Sequence, residues 1–266
     1  MTDEIKELEP QEGSTEPAEG EVESGKMTFL EHLDELRKRL LRIVTYIGVG
    51  FLACFYFSPK IYHFISLPIL KALPAGTRLA YTNPTDPFTN YMKVGFIAAI
   101  FLTVPLSLYE VWKFIAPGLY RKEKKYVLPF MFSSILLFLL GGAFCYYIVL
   151  PQAYGFLINL GKDFMPVIRI DEYLDLTNTM LLGFGLVFEM PVIVAFLSLF
   201  GLVSAKFLWK YFRYAIVIIV VIAAVLSPTG DAFNLMIWSA PIILLYIISI
   251  GIAALFGLRR KAKEPE

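Results

Sequence analysis

The sequence predicts an all-α polytopic membrane protein with six transmembrane helices and both termini on the cytoplasmic side. Of its 266 residues, 57% are hydrophobic, and the mean hydropathy is +0.64, whereas a soluble domain contains about 45–50% apolar residues. The apolar residues also fall in runs near the roughly 20 residues that a helix needs to cross a bilayer. Lysine and arginine, finally, are distributed unequally between the two sides of these runs.

Residues 1–26 differ in composition from the rest of the chain. They contain nine acidic residues against two lysines, a net charge of −7, so the remainder carries +8 of the total of +1. Because this segment has almost no large apolar residues, it cannot offset its chain entropy by burial, and we expect a disordered acidic tail. It has no basic region followed by an apolar core, and it does not resemble a cleavable signal peptide.

The membrane domain is expected to begin with an amphipathic helix. Thr28 and Glu31 have the spacing of a capping box, and apolar residues at helical spacing lead into a first span at residues 40–57. A proline-punctuated connection over 59–87 contains a short amphipathic segment at 61–70. Five further apolar runs are predicted to be spans: 88–112 with Pro105, 127–150, 173–202, 214–226 and 232–258, the last broken by Pro241.

The segments between these runs are a basic loop before 127, a connection over 151–172, a basic linker over 204–213 and a tight turn over 227–231. The fifth run is only thirteen residues, about 20 Å as a helix against roughly 30 Å of hydrocarbon. The chain therefore divides into a tail (1–26), a six-helix membrane domain (27–258) and a basic cytoplasmic tail (259–266).

The charge distribution predicts the orientation. Sixteen lysines and arginines outside the acidic tail lie on the side of the N-terminus, against five on the opposite side and Lys93 at a span edge. Cytoplasmic loops carry the excess of basic residues, so both termini are expected in the cytoplasm. An even number of spans agrees with basic residues at both ends.

No motif indicates an enzyme or a cofactor. Cys54 and Cys145 lie within apolar runs, where a small core residue is the expected role. His32 and His63 lack the spacing of a zinc site, and neither a phosphate-binding glycine loop nor a Ser-His-Asp pattern is present. We therefore expect no metal, no cofactor and no nucleic-acid partner.

Three acidic residues lie within or beside the predicted spans, where an ionisable group is a functional candidate. Glu189 either has a function or satisfies backbone groups freed by Pro191. Glu110 either has a function or pairs with Lys113 at the membrane edge. Asp231 is equally consistent with a functional role and with capping of the last helix.

Two other carboxylates, Glu35 and Glu123, are expected in water on the cytoplasmic face. Glu35 could simply pair with Arg39 one turn later, and Glu123 could balance the four cations around it. Alternatively, two carboxylates on a basic surface form a selective site for a cationic peptide, because a guanidinium binds carboxylate in a bidentate manner. Phe114 could contact an apolar residue beside those arginines.

Four segments of the chain closely resemble the motifs of the TatC family, the receptor subunits of the twin-arginine protein translocase. They are 29–40 (FLEHLDELRKRL), 109–120 (YEVWKFIAPGLY) with Glu123, 184–191 (FGLVFEMP) and 227–234 (SPTGDAFN). The match runs in order from about residue 27 to 258.

The resemblance implies six helices in a curved, glove-like arrangement in the bacterial inner membrane, with a periplasmic cap formed by the outer loops. It also implies a cytoplasmic receptor for twin-arginine signal peptides of folded proteins. That receptor assembles with TatA and TatB, as a TatBC hetero-oligomer, for export driven by the proton-motive force. Carried onto this sequence, the resemblance assigns signal-peptide binding to Glu35, Phe114 and Glu123, a partner-facing intramembrane position to Glu189, and positions needed for activity to Pro68 and Asp231.

The sequence departs from the family pattern at Asp86, where glutamate is common, at Ala232, where proline is common, and in the acidic tail. A second hypothesis for the chain is a proton-coupled small-solute transporter that uses Glu189 and Asp231. A third is a purely structural membrane-assembly protein. Transport by the purified protein alone would indicate the second, and absence of sequence-specific peptide binding would indicate the third.

Overall fold

The computed structural model describes residues 29–74, 76–77, 79–119, 124–226 and 232–261, and within them the fold is all-α, as predicted. Pairing of the β type is limited there to one isolated parallel bridge between Ala80 and Arg169. Short 3₁₀ turns lie at Ala116–Gly118 and Lys124–Tyr126, and a π-helical turn lies at Cys145–Val149. The ten α-helices are α1 (Phe29–Tyr56), α2 (Ser58–Ala72), α3 (Asp86–Ile115), α4 (Val127–Phe144), α5 (Leu150–Leu160), α6 (Ile170–Val187), α7 (Met190–Leu199), α8 (Ala205–Lys210), α9 (Phe212–Leu226) and α10 (Ala232–Lys261).

Five helical segments are long and apolar enough to cross a membrane: Leu30–Tyr56, Asp86–Gly118, Lys124–Leu160, Ile170–Leu199 and Leu235–Phe256. The predicted fifth span corresponds to α9, whose apolar part Phe212–Val225 is shorter than the others. A polytopic membrane protein is thereby confirmed, while six crossings and the placement of the termini stay predictions. The acidic tail and the turn at 227–231 lie outside the described residues.

Several boundaries differ from the sequence-based expectation. The amphipathic start and the first span form one continuous helix, α1. The third predicted span does not end at residue 150, because helical structure continues through the π-helical turn and α5 to Leu160. The fourth predicted span is divided at Phe188–Glu189, where α6 ends and α7 begins. Pro241 lies inside α10 and does not end it, since neighbouring helices can accommodate the backbone groups that proline frees in a membrane helix.

Close packing of α4 against α6 brings two distant apolar runs together. A Cβ atom added to Gly141 would lie 2.5 Å from the carbonyl oxygen of Phe184 and 2.9 Å from Cβ of Phe188. The neighbouring atom is backbone and cannot move aside easily, so glycine is required there for the helices to approach. Small residues have this role generally in membrane helix interfaces.

The main apolar core joins α2, the π-helical turn, α5 and α6, with contributions from α3 and α10. Its fully buried side chains include Ile69, Val94, Leu150, Tyr173 and Trp238. There are two smaller apolar clusters. One lies between α7 and α10 around Ile242, and the other is formed around Trp112, Phe130 and Phe196. The last of these supports the predicted cytoplasmic half of α3.

The two connections on the predicted outer side contact each other directly. The N–H of Ala80 donates to the carbonyl of Ile168 at 2.9 Å, and the N–H of Ile170 donates to the carbonyl of Ala80 at 2.9 Å. Lys93 of α3 and Asp175 of α6 form an ion pair beside them. Backbone pairing of two loops 88 residues apart holds α3 and α6 together at this end.

Candidate functional site

Arg39 joins the predicted cytoplasmic ends of α1 and α3. Its Nη1 donates to Oε2 of Glu110 on α3 at 2.7 Å, and its Nε donates to Oε1 of Glu35, one turn earlier on α1, at 3.1 Å. The three side chains are only 11%, 4% and 17% exposed for Arg39, Glu110 and Glu35. Buried charges persist only when they are paired and hydrogen-bonded, so this triad is a specific feature of the interface.

Glu110 has a different partner from the one expected. The sequence-based alternative paired it with Lys113, but Arg39 and Arg42 of α1 approach its carboxylate, at 2.7 and 3.5 Å. The Tyr46 hydroxyl donates to the other carboxylate oxygen at 3.3 Å. Lys113 instead lies over the ring of Tyr109. The reason is geometric: Glu110 points toward α1, where burial makes an arginine partner necessary.

Phe114 lies one turn beyond Glu110 on α3 and contacts α1 through a ring stack. Its ring centroid is 4.3 Å from that of His32, with an interplanar angle of 15°. His32 and Glu35 are neighbours on the same face of α1, because residues three apart in a helix lie on one face. Two of the three predicted peptide-binding residues, Glu35 and Phe114, therefore share one surface at the ends of two antiparallel helices.

A groove of about 420 Å³ opens along this surface. Its walls combine acidic and basic side chains of α1: Glu31, Asp34, Glu35, Lys38, Arg39 and Arg42. One oxygen of Glu35, Oε2, is buried and has no hydrogen-bond partner among the described residues. Glu123, the third predicted residue, lies outside the described residues, and the chain resumes at the 3₁₀ turn Lys124–Tyr126.

Glu189 occupies the break between α6 and α7 and is 9% exposed. Its backbone participates in both helices, but its side chain does not cap α7. One carboxylate oxygen has no hydrogen-bond partner among the described residues. The carboxyl interacts with the Ser134 side chain, whose hydroxyl accepts a hydrogen bond from Trp112 at 3.1 Å. The contacts of the side chain among the described residues therefore give no support to the structural alternative, in which it satisfies backbone groups freed by Pro191.

Pro68 lies inside α2 and is buried. Because proline has no N–H, the carbonyl of Phe64, four residues earlier, lacks its helical donor. The Tyr146 hydroxyl donates to that carbonyl at 2.6 Å, and the Tyr173 hydroxyl donates to the next one, Ile65, at 2.5 Å. Pro68 thus lies where α2 meets the predicted outer parts of the third and fourth spans.

Asp86, one of the departures from the family pattern, closes the outer loop onto the start of α3. Its carboxylate accepts hydrogen bonds from the backbone N–H groups of Thr82 and Asn83, at 3.0 and 2.8 Å. The shorter side chain can therefore hold this loop. Asp231, predicted to be needed for activity, lies outside the described residues.

The described residues contain no group of three or more metal-ligating side chains, and both cysteines, Cys54 and Cys145, are free and buried. Sequence reasoning did not find the contact between Arg39 and Glu110 or the stack of His32 on Phe114. The available signal was positional, since Arg39 and His32 lie in the segment 29–40 and Glu110 and Phe114 lie in the segment 109–120, both at the ends of apolar runs. Their pairing became evident only from the antiparallel packing of α1 and α3.

Comparison with known proteins agrees with this architecture. Residues 31–241 match the family of Sec-independent protein translocase protein TatC. The TatC protein of Koribacter versatilis is 51% identical over 243 residues, covering 90% of both chains, and that of Escherichia coli is 36% identical, covering 89% of this chain and 92% of the relative. A crystal structure of the twin-arginine translocase receptor TatC superposes with a TM-score of 0.76 at 35% identity, covering 85% of this chain and 99% of that one. The chain therefore belongs to the TatC family, a family of protein translocase components.

Proposed function

We propose that this protein binds twin-arginine signal peptides of folded proteins on its cytoplasmic face and serves as the membrane scaffold for their export. The observation that carries the proposal is the shared surface of Glu35 and Phe114. There a carboxylate suited to arginine lines an open groove, and an aromatic ring suited to an adjacent apolar residue stacks on His32 of the helix that carries the carboxylate. Glu123 follows Phe114 by nine residues and is proposed to complete the site.

The proposal extends to partners. The protein would act with TatA and TatB, as a TatBC hetero-oligomer in the bacterial inner membrane, with the proton-motive force as energy source and without a catalytic step of its own. The burial of Glu189 supports a partner-facing role. Within a predicted membrane span, a carboxyl with an oxygen that has no hydrogen-bond partner among the described residues is costly unless the group contacts another protein. Pro68 and Asp231 are proposed to maintain the outer side of the fold.

The test is binding of a labelled Arg-Arg signal peptide and its Lys-Lys twin to the detergent-purified full-length protein. Glu35→Ala and Glu123→Ala should each weaken Arg-Arg binding, whereas Asp34→Ala, which removes a neighbouring groove carboxylate, should have a smaller effect. Equal binding of both peptides, unaffected by the two substitutions, would contradict the proposal. Solute flux by the purified protein alone in liposomes would favour the transporter hypothesis instead.

Topology is tested separately. Single cysteines placed near residue 20 and at residue 264, in a variant without Cys54 and Cys145, should react with a membrane-impermeant maleimide only from the cytoplasmic side. A cysteine at exposed Met165 should react only from the outer side. Labelling of the two termini from opposite sides would contradict the even number of spans.

A further inference from the structure

We infer that Arg39 is an internal guanidinium that occupies the Glu35 carboxylate until an arginine of the signal peptide replaces it, with Glu110 retaining Arg39 after the exchange. The inference rests on the proposed function and concerns how the same site selects its ligand. Glu35 would otherwise be simply an open carboxylate on the groove. In the structure it already holds the chemical group that it is proposed to recognise.

The geometry separates the two ends of the Arg39 guanidinium. Nε and Nη2 both donate to Oε1 of Glu35, at 3.1 and 2.5 Å, whereas Nη1 donates to Oε2 of Glu110 at 2.7 Å. Glu110 is anchored on another helix and receives a further hydrogen bond from Tyr46. The Glu35 side of the guanidinium can therefore be given up without leaving Arg39 unpaired.

Exposure assigns the direction of the exchange. The Glu35 side chain is 17% exposed and lines the groove, whereas the Glu110 side chain is 4% exposed and does not line it. Only one oxygen of Glu35 is used by Arg39, and Oε2 has no hydrogen-bond partner among the described residues. Because Oε2 is buried while Arg39 is bound, an arriving guanidinium binds both oxygens only once the released carboxylate turns toward the groove, and the internal arginine does not obtain that second contact.

Competition of this kind discriminates arginine from lysine. The ligand must replace two N–H donors arranged along one edge of a planar group, and a guanidinium carries the same arrangement. An ammonium group is more strongly hydrated and has no such fork, so it does not displace Arg39 effectively. The internal arginine thus raises specificity. It weakens the binding of every peptide to Glu35, and it weakens the binding of lysine-containing peptides most.

Three variants test the exchange by peptide binding to the full-length protein in detergent. Arg39→Gln/Glu110→Gln removes one charge of each sign and frees Glu35, so Arg-Arg affinity should rise about tenfold, as expected when the competent form is otherwise a minor fraction. Arg39→Lys keeps the charge but weakens the internal contact, so Lys-Lys binding should gain more than Arg-Arg binding. Glu110→Gln leaves Glu35 as the only carboxylate for Arg39, so affinity should fall about threefold.

Asp34→Asn is the matched control for Glu110→Gln, because it removes one groove acid without changing the contacts of Arg39 with Glu35 and Glu110. The affinity loss in Glu110→Gln should exceed the loss in this control. Unchanged or weaker Arg-Arg binding in both Arg39 variants would overturn the inference, and so would tighter binding in Glu110→Gln. If the double variant does not fold, Arg39→Lys by itself still tests the inference.

The two proposals fail in distinguishable ways. Selective binding of Arg-Arg to the unmodified protein, lost in Glu35→Ala but indifferent to Arg39, would leave the proposed function standing and remove the inference. Binding that appears only when Arg39 is substituted would support the inference and show that the closed form predominates. Absence of binding in the unmodified protein and in every Arg39 variant would remove both.

Discussion

The hydroxyl of Tyr146 donates to the carbonyl of Phe64 at 2.6 Å, and Phe64 is the residue whose carbonyl Pro68 leaves without a helical donor. The two rings also stack, with centroids 4.5 Å apart. A proline in a short outer helix and a tyrosine in the π-helical turn, 78 residues later, thus complement each other. This relationship explains why a proline inside a helix is compatible with a well-packed outer side.

Tyr146→Phe should destabilise the protein by about 1–2 kcal/mol, because the substitution removes the hydroxyl that donates to this carbonyl and leaves a partly buried acceptor without that donor. Thermal unfolding in detergent measures the effect. Tyr147→Phe, at an exposed neighbouring position, is the control and should change stability by less than about 0.5 kcal/mol.

The same pair makes a double-mutant cycle informative. In a Pro68→Ala background the new N–H can occupy the Phe64 carbonyl, so Tyr146→Phe should cost less there than in the unmodified protein. Equal costs in both backgrounds would show that the tyrosine acts through packing alone.

Arg39→Ala should destabilise the protein by about 3 kcal/mol, because it leaves the carboxylate of Glu110 buried with only a 3.5 Å contact to Arg42 and a 3.3 Å hydrogen bond from the Tyr46 hydroxyl among the described residues. Adding Glu110→Gln should restore much of the loss, since the uncompensated charge is then gone. Thermal unfolding checks both, with Lys38→Ala at an exposed neighbouring position as control. A double variant less stable than Arg39→Ala would contradict the electrostatic explanation.

Gly141→Ala should destabilise the contact between α4 and α6 by about 1–3 kcal/mol, because the added Cβ would lie 2.5 Å from a backbone oxygen. Gly155→Ala on α5 has no neighbouring atom within 4 Å of the added group and should be neutral or slightly stabilising, since alanine favours the helix. Comparable losses at both positions would point to helix propensity or insertion rather than to packing.

Glu189→Gln should change thermal stability by less than about 1 kcal/mol, because the carboxyl forms no cap and no ion pair among the described residues. Export of a twin-arginine reporter and cross-linking to partner helices should both fall, since the proposed role of this group is a contact outside the chain. Strong destabilisation with unchanged cross-linking would assign the residue to the core instead.

Much of the fold could be predicted from the residues themselves. Long apolar runs, the amphipathic start of α1 and the resemblance of four segments identify an all-α membrane protein of the TatC family. Boundaries were less accessible: the continuation of α5 to Leu160 and the break at Phe188–Glu189 arise from packing and not from local propensity. The pair of Glu35 with Arg39, which was one of the two alternatives for Glu35, is present, because contacts one helical turn apart are a local property.

Membrane residence and helical class were determined by the sequence alone, because hydrophobicity and helix length are properties of single segments that do not depend on their neighbours. Only the tertiary structure decided that Glu110 binds Arg39, that Phe114 stacks on His32 and that tyrosines complete the helix at Pro68. Each of these contacts joins residues from different helices. Which faces of two helices meet depends on the packing of the whole bundle, and no periodicity within one segment encodes it.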